Sequence, residues 1–470
     1  MNLAPVLRFV AYTHFGLALA MVAPGLVGAG PGDVLADGFL TGLLAAMLVG
    51  GLCLATAEGL PRRQPVRNGF RELLLSLLVF WTLLPFTAAV PLAIDGRQFG
   101  EAWFDAVSAL TTTGAWLSEP AARATAQDML YRASLQGLGG LVSLATAAAV
   151  FVRPEFVGIA PPTPPFARGE TGSYLRAFDQ ALRAFGPVYG LIALLGSVLM
   201  IIAGVPVVEA VTMGLSFLAT GGLVPQAGGI GAYPAGAVGV SAVLMTLGAI
   251  NFVVLAAFFL GQTGRLRRGQ DPETKTFLFL IPAVALIFWL SRGAGDLDRV
   301  PQHLFNAVSL LSTNGPIIGE VPGLTPLLVT AIIGGAAVST AGGIKILRWL
   351  ITFARTGEEV WKLTHPGAVS RRKPSSNELG VWIHALAFAI LLAGLVLVTA
   401  FYGYPLETSA AAAVAVISNT GPLLDAAPLM TADYGVFDPS LRIAFAAGMI
   451  AGRLELVVLL VVLNRHFWQG

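Results

Sequence analysis

The sequence predicts an all-α polytopic membrane protein: four pseudo-repeated helix–pore loop–helix units around one pore, preceded by two extra transmembrane helices. Composition and a recurring motif carry this expectation. Of the 470 residues 56% are hydrophobic and 11% charged, whereas about a quarter are charged in soluble domains. Apolar stretches long enough to cross a bilayer, roughly 20 residues each, run from one end of the chain to the other. Between them recur four polar-glycine runs, Thr112-Thr113-Gly114, Thr220-Gly221-Gly222, Thr313-Asn314-Gly315 and Asn419-Thr420-Gly421. Similar wording leads into three of these: FDAVSALTTTG from Phe104, FNAVSLLSTNG from Phe305 and AAAVAVISNTG from Ala411.

In chain order, the first spans are expected at 6–26 and 39–57. The first carries Arg8, His14 and Pro24 and is followed by further spans, so it reads as a retained helix and not a cleaved signal. Four units follow, over 69–151, 177–260, 276–350 and 379–463, each a spanning helix, a half-membrane helix with its loop, and a second spanning helix. The division is thus 1–60 for the two leading helices, then 61–153, 154–262, 263–352 and 353–470, with ten full spans in all. Basic residues gather between units, among them Arg62, Arg67, Arg153, Arg176, Arg267, Lys275, Arg355 and Arg372, while the motif-bearing loops carry acids such as Asp95, Glu101, Glu119, Asp298 and Asp425. By the positive-inside rule the first set is cytoplasmic, as are both termini. The proline-rich stretch 161–165 reads as a stiff connector. The 55 glycines suit close helix packing in lipid. The single cysteine, Cys53, rules out a disulfide framework. The net charge of +2 says little by itself; membrane lipid is the expected partner, and no nucleic acid.

Irregular backbone at membrane depth survives only where it is buried in protein or lines a wet cavity. Glycine reaches the dihedrals that turn carbonyls toward an axis, and Thr or Asn beside it adds side-chain oxygens. A short helix ending at such a loop aims its negative end at the centre, which favours a cation. Four loops in register would form an oxygen-lined ring able to replace a cation's water shell. In the second loop Gly221 and Gly222 both qualify; counting six residues from Ser216, as Ser108 precedes Gly114 and Ser309 precedes Gly315, favours Gly222.

At these residues the chain resembles the TrkH/TrkG branch of the Trk/Ktr/HKT potassium-transporter superfamily. The resemblance spans nearly the whole chain and extends to Tyr131-Arg132 with Gln136 and Gly139-Gly140, to Gly248 through Phe252, to Ser339 through Lys345, and to Gly452-Arg453-Leu454-Glu455. It departs at Gly137, where the family usually has Trp, and in the second loop, which lacks the usual aromatic. The resemblance implies potassium as the transported ion, filtered by the twelve residues of the four runs, in a homodimer served by a separate cytoplasmic, nucleotide-binding regulator of the TrkA type. It also implies a bacterial inner membrane location.

Two features read as a gate. The small, polar run Ser339-Thr340-Ala341-Gly342-Gly343 interrupts an apolar span, the sign of a discontinuous helix lining a cavity; the alternative is a close-packing surface. Arg453 sits inside an apolar stretch, where arginine is costly and normally faces a wet interior; it reads either as a fixed charge beneath the filter or as an anchor to helix carbonyls. Lys345 either joins the gate or snorkels. Glu455 stands as the one acid at that depth. The five histidines, His14, His303, His365, His384 and His466, form no i, i+3 or i, i+4 pair, so no enzyme is expected. A potassium symporter coupled to protons or sodium is the nearest alternative.

Overall fold

The computed structural model describes residues 2–30, 33, 35–61, 69–94, 96–117, 125–151, 174–226, 228–261, 271–291, 297–321, 323–365, 378–427, 434–454 and 464. The expected connector at 161–165 and Glu455 lie outside these residues. The chain opens with α1 (Leu3–Val27) and α2 (Asp37–Gly59). Asn2 caps α1, its side chain accepting from the Ala4 N–H. The two helices pack through small residues: a Cβ on Gly50 would meet the Phe15 ring and the Ala11 carbonyl, and one on Gly42 would meet Pro91 and Met21.

Among the described residues the chain then continues through sixteen further α-helices. α3 (Phe70–Ala88) and the short α4 (Val90–Ile94) lead to α5 (Phe99–Leu110) and α6 (Ala126–Phe151). Next come α7 (Tyr174–Ile202), α8 (Val207–Leu218), α9 (Ala235–Ala249) and α10 (Phe252–Phe259), then α11 (Pro272–Ser291), α12 (Val300–Leu311), α13 (Leu324–Ile333) and α14 (Ile346–Thr364). The last set is α15 (Glu378–Phe401), α16 (Leu406–Ile417), α17 (Pro422–Ala426) and α18 (Pro439–Arg453). Four helices, α5, α8, α12 and α16, are each 12 residues long. Each leads into one polar-glycine run. One apolar core gathers around Trp81, Tyr131, Phe185 and Phe217, a second around Phe277, Phe288, Leu310, Val416 and Phe445.

Ten spans are expected over the whole chain, and the last of them continues past residue 454, outside the described residues. Among the described residues seven helices are long and apolar enough to cross a membrane, eight if the pair α9 and α10 is one bent span. That pair turns by 107° at 250–251, because Asn251 caps α10: its side chain accepts the Val253 N–H at 3.1 Å and so competes with helix continuation. The span expected to end near 350 is two helices, α13 and α14, with irregular backbone over 334–345. The interruption is longer than the five-residue run that announced it.

The two breaks satisfy each other. Ala336 N–H donates to the Ala249 carbonyl, Phe252 N–H to the Val338 carbonyl and Thr340 N–H to the Gly248 carbonyl, at 2.8, 2.8 and 3.0 Å. Backbone groups released from one helix thus find partners in the other, the condition for irregular chain in an apolar surround.

Candidate functional site

The four short helices end alike. In each, the residue three past the helix end donates back to a carbonyl in the last turn at 2.8 Å: Thr113 to Ser108, Gly221 to Ser216, Asn314 to Ser309 and Thr420 to Ala415. The preceding residue donates to the next carbonyl along: Thr112 to Ala109, Thr220 to Phe217, Thr313 to Leu310 and Asn419 to Val416. This is the Schellman closure, which places its linking residue in the left-handed region and usually uses glycine there. Here that residue is Thr112, Thr220, Thr313 or Asn419, at φ 55, 59, 61 and 53°. Left-handed backbone on a β-branched residue is a strained outlier, costing about 1–2 kcal/mol each.

Gly114, Gly222 and Gly315 follow at φ 75, 65 and 96°, and the backbone pattern puts Gly222, not Gly221, in line with the others. Gly421 departs. It lies at φ −53° and ψ −47°, where Pro422 starts α17. Its N–H donates to the Thr113 carbonyl at 2.6 Å, and its carbonyl accepts from the Tyr434 hydroxyl at 3.1 Å. Burial holds that phenol well above its usual range, so it stays a donor.

A serine braces the first two loops from behind. Ser108 Oγ accepts the Ala115 N–H and Ser216 Oγ the Leu223 N–H, each at 2.7 Å. The third and fourth loops carry proline at that place, Pro316 and Pro422, which has no N–H to offer. Correspondingly Ser309 Oγ has no hydrogen-bond partner among the described residues, and the fourth unit has Ala415.

The loops close a ring by direct contact. A Cβ on Gly114 would overlap the Gly221 carbonyl, one on Gly222 the Asn314 carbonyl, one on Gly315 would press on Pro422 and Leu423, and one on Gly421 would overlap Thr113 and Ala115. Each glycine is therefore a point where one loop's backbone meets the next. Hydrogen bonds reinforce the joints: Gly222 N–H to Asn314 Oδ1 at 3.2 Å, and Asn419 Nδ2 to Thr113 Oγ1 at 3.0 Å. Gln136 Nε2 donates to the Gly221 carbonyl at 3.1 Å. All twelve residues of the four runs are buried, and Thr112 Oγ1 has no hydrogen-bond partner among the described residues. Four helix C-termini, each worth about half a negative charge, converge on this ring.

The 334–345 segment lies against one side of the ring. Thr340 is its hub: Oγ1 donates to the Leu218 and Gly248 carbonyls at 2.8 Å, and its carbonyl accepts from Thr220 Oγ1 at 2.8 Å and Arg453 Nη1 at 2.6 Å. Gly342 N–H donates to Thr313 Oγ1 at 2.8 Å, and a Cβ on Gly342 would overlap the Ser418 carbonyl. The segment so touches the second, third and fourth loops. Ser339 Oγ closes its own turn on the Ala336 carbonyl at 2.6 Å, and Ala341 and Gly343 are packed into the same turn, Gly343 against Gly334. Lys345 does not snorkel. It is buried, with Nζ folded back onto the Ala341 and Ser339 carbonyls. A cavity of about 30 Å³, room for a water or two, is lined by Ser143, Ser339, Gly342, Lys345 and Arg453 among others.

Three residues important to this arrangement carried no distinct signal in the sequence. Asp105 is buried on α5, accepts the Leu117 N–H at 3.1 Å and pairs with Arg132 at 2.7 Å and Arg97 at 3.1 Å, while Arg132 lies 4.6 Å from the Trp116 ring centre. Asn306 does the same for the third loop with two bonds to Ile318; the shared twelve-residue offset could have revealed both. Glu273, buried on α11, accepts the Ala337 N–H at 2.5 Å.

Apolar spans closing on a buried ring of polar loops define a polytopic membrane transport protein. The chain matches the TrkH family, described as cation transport protein, over residues 39–466 and belongs to it. It is 26% identical to the Trk system potassium uptake protein TrkH of Vibrio parahaemolyticus over the whole of both chains. It is 27% identical to TrkG of Escherichia coli, covering 92% of this chain and 91% of that one. The crystal structure of the potassium transporter TrkH from Vibrio parahaemolyticus superposes with a TM-score of 0.85 over the full length of both chains at 24% identity. These relatives are named as transport proteins, not enzymes.

Proposed function

We propose that the chain takes up potassium through a gated, potassium-selective pore whose filter is the ring of Thr112–Gly114, Thr220–Gly222, Thr313–Gly315 and Asn419–Gly421. The observation that carries this reading is the closed ring itself, at which four helix C-termini meet over loops of shared backbone geometry. Oxygen-lined, carboxylate-free sites favour the larger, less strongly hydrated ion. The four units are the four quadrants of that pore, with the two leading helices packed outside it. The 334–345 segment, with Ser339, Thr340, Ala341, Gly342, Gly343 and Lys345, obstructs the path beside the ring, and Arg453 adds a fixed positive charge there. The names of the curated relatives support potassium as the cargo. The homodimer, the TrkA-type regulator, the bacterial inner membrane and cytoplasmic termini belong to the same reading.

Growth of a potassium-uptake-deficient cell at low potassium tests the cargo; failure to rescue, with protein present in the membrane, would overturn it. Flux into liposomes of potassium, rubidium, sodium and lithium tests the filter. Flux that follows voltage alone marks a pore, and flux that moves protons or sodium in fixed proportion marks a symporter.

A further inference from the structure

Two adjacent residues at the start of α11 hold both interrupted helices. Glu273 Oε2 accepts the Ala337 N–H at 2.5 Å, within the 334–345 segment. Thr274 Oγ1 accepts the Asn251 N–H at 3.3 Å, at the 107° bend. Glu273 is 2% exposed. Its charged neighbours are Asp271 before it in the chain, and Lys345 and Arg348 on the segment and the helix that follows. A neutral carbonyl would satisfy one backbone N–H; a carboxylate makes a shorter bond, roughly twice as strong, and draws on the charge of Lys345 as well. Lys345 is itself bonded to the Ala341 and Ser339 carbonyls. The carboxylate therefore holds the turn at Ala337 by a hydrogen bond, with Lys345 and Arg348 as its cationic neighbours.

We propose that Glu273 is a positioning residue for ion passage: it holds the 334–345 segment against the loop ring, and without its carboxylate the segment leaves that position. The effect on flux rests on the reading of the segment as an obstruction. The effect on the segment's position does not.

The test uses full-length protein in liposomes, with Cys53→Ala to remove the single native thiol. Ser339→Cys then places a reporter in the segment, and its rate of reaction with a charged thiol reagent is measured with Glu273 intact, with Glu273→Gln and with Glu273→Ala. Rubidium and sodium flux are measured in parallel with Ser339 intact. Glu273→Ala is expected to raise the thiol rate roughly tenfold, the scale on which loss of a hydrogen bond to a charged group moves an equilibrium. Glu273→Gln, which keeps an acceptor without charge, should fall between. Rubidium flux should rise in the same order with an unchanged rubidium-to-sodium ratio, because the ring is untouched. Thiol rates equal to the parent in both variants overturn the proposal, as does a fall in flux with loss of the ratio, which marks a merely structural role. If Glu273→Ala does not assemble, the near-isosteric Gln decides by the same criterion. A raised thiol rate with unaltered flux upholds the tether and removes the segment as the obstruction.

Discussion

Arg453→Ala should raise potassium flux through correctly folded protein by about a hundredfold. The magnitude comes from where the charge sits. Arg453 Nη1 is 2.6 Å from the Thr340 carbonyl, and the same carbonyl is 2.8 Å from the hydroxyl of Thr220 in the ring. The charge thus stands one carbonyl away from the loops. A unit charge about 5 Å from a passing cation raises its energy by roughly 3 kcal/mol at an effective dielectric near 20, and that slows passage about a hundredfold. Arg453→Lys keeps the charge and can keep one donor to Thr340, so flux should stay low. The assay is rubidium flux into liposomes at matched reconstituted amounts of wild type, Arg453→Lys and Arg453→Ala. The contact with Thr340 also makes Arg453 a brace for the segment, and the two roles part cleanly. If Ala lowers flux and Lys fails equally, the side chain acts as a clamp through its planar fork of donors, and the electrostatic argument is refuted.

Gly222→Ser should abolish flux or sodium discrimination, since its Cβ would sit in left-handed backbone and overlap the Asn314 carbonyl. Gly221→Ser collides first with the Gln136 side chain and not with a neighbouring loop's backbone, so it should be milder and be eased by Gln136→Ala in the same flux assay. Ser108→Ala should cost about 1 kcal/mol of stability as the Ala115 N–H loses its partner, whereas Ser309→Ala, facing a proline, should cost close to nothing; thermal unfolding in detergent compares them. Asp105→Asn should destabilise by about 3–5 kcal/mol, because Arg132 would be left buried with its main countercharge removed. The same melts check it, and an unchanged midpoint would show that Asp128, which pairs with Arg97 at 2.8 Å, serves Arg132 as well without cost.

The four-loop arrangement was legible because repetition is written in the order of residues. The count from Ser216 to Gly222 corresponds to a backbone bond, Gly221 N–H to the Ser216 carbonyl, that matches Thr113 to Ser108. Conformation within the loops was less legible. Local preference gives positive φ to glycine, yet Thr112, Thr220 and Thr313 carry it as well, against their own β-branched preference. The helix-end closure sets them there, and two of them are held further by partners far along the chain, Thr220 by Thr340 and Thr313 by Gly342. The bend at Asn251 was hidden for a similar reason: its released carbonyls are satisfied by a segment more than eighty residues later. Glu273 reads as one more charge near a cluster of basic residues until Ala337 is brought against it. The fourth loop shows the limit of repeat reasoning, since Asn419-Thr420-Gly421 matches its counterparts in wording while Gly421 takes right-handed backbone.

The strained threonines decide how ring and segment influence one another. Thr220 and Thr313 use their side chains on the segment, Asn419 uses its own on the first loop and the Met449 carbonyl, and Thr112 Oγ1 has no hydrogen-bond partner among the described residues. A buried hydroxyl without a partner costs about 1–3 kcal/mol, on top of about 1–2 kcal/mol for its left-handed backbone. On the reading of the ring as a filter, a cation supplies what that hydroxyl lacks. Thr112→Gly should then stabilise the fold by about 1 kcal/mol, by removing both costs in part, while weakening potassium-over-sodium discrimination. Melting midpoints and flux ratios on one preparation test the pair of effects together. A variant that gains stability and keeps its ratio would show that the Thr112 oxygen takes no part in discrimination. One that loses both would show that the side chain supports the loop by packing, and that strain at this position is not held for function.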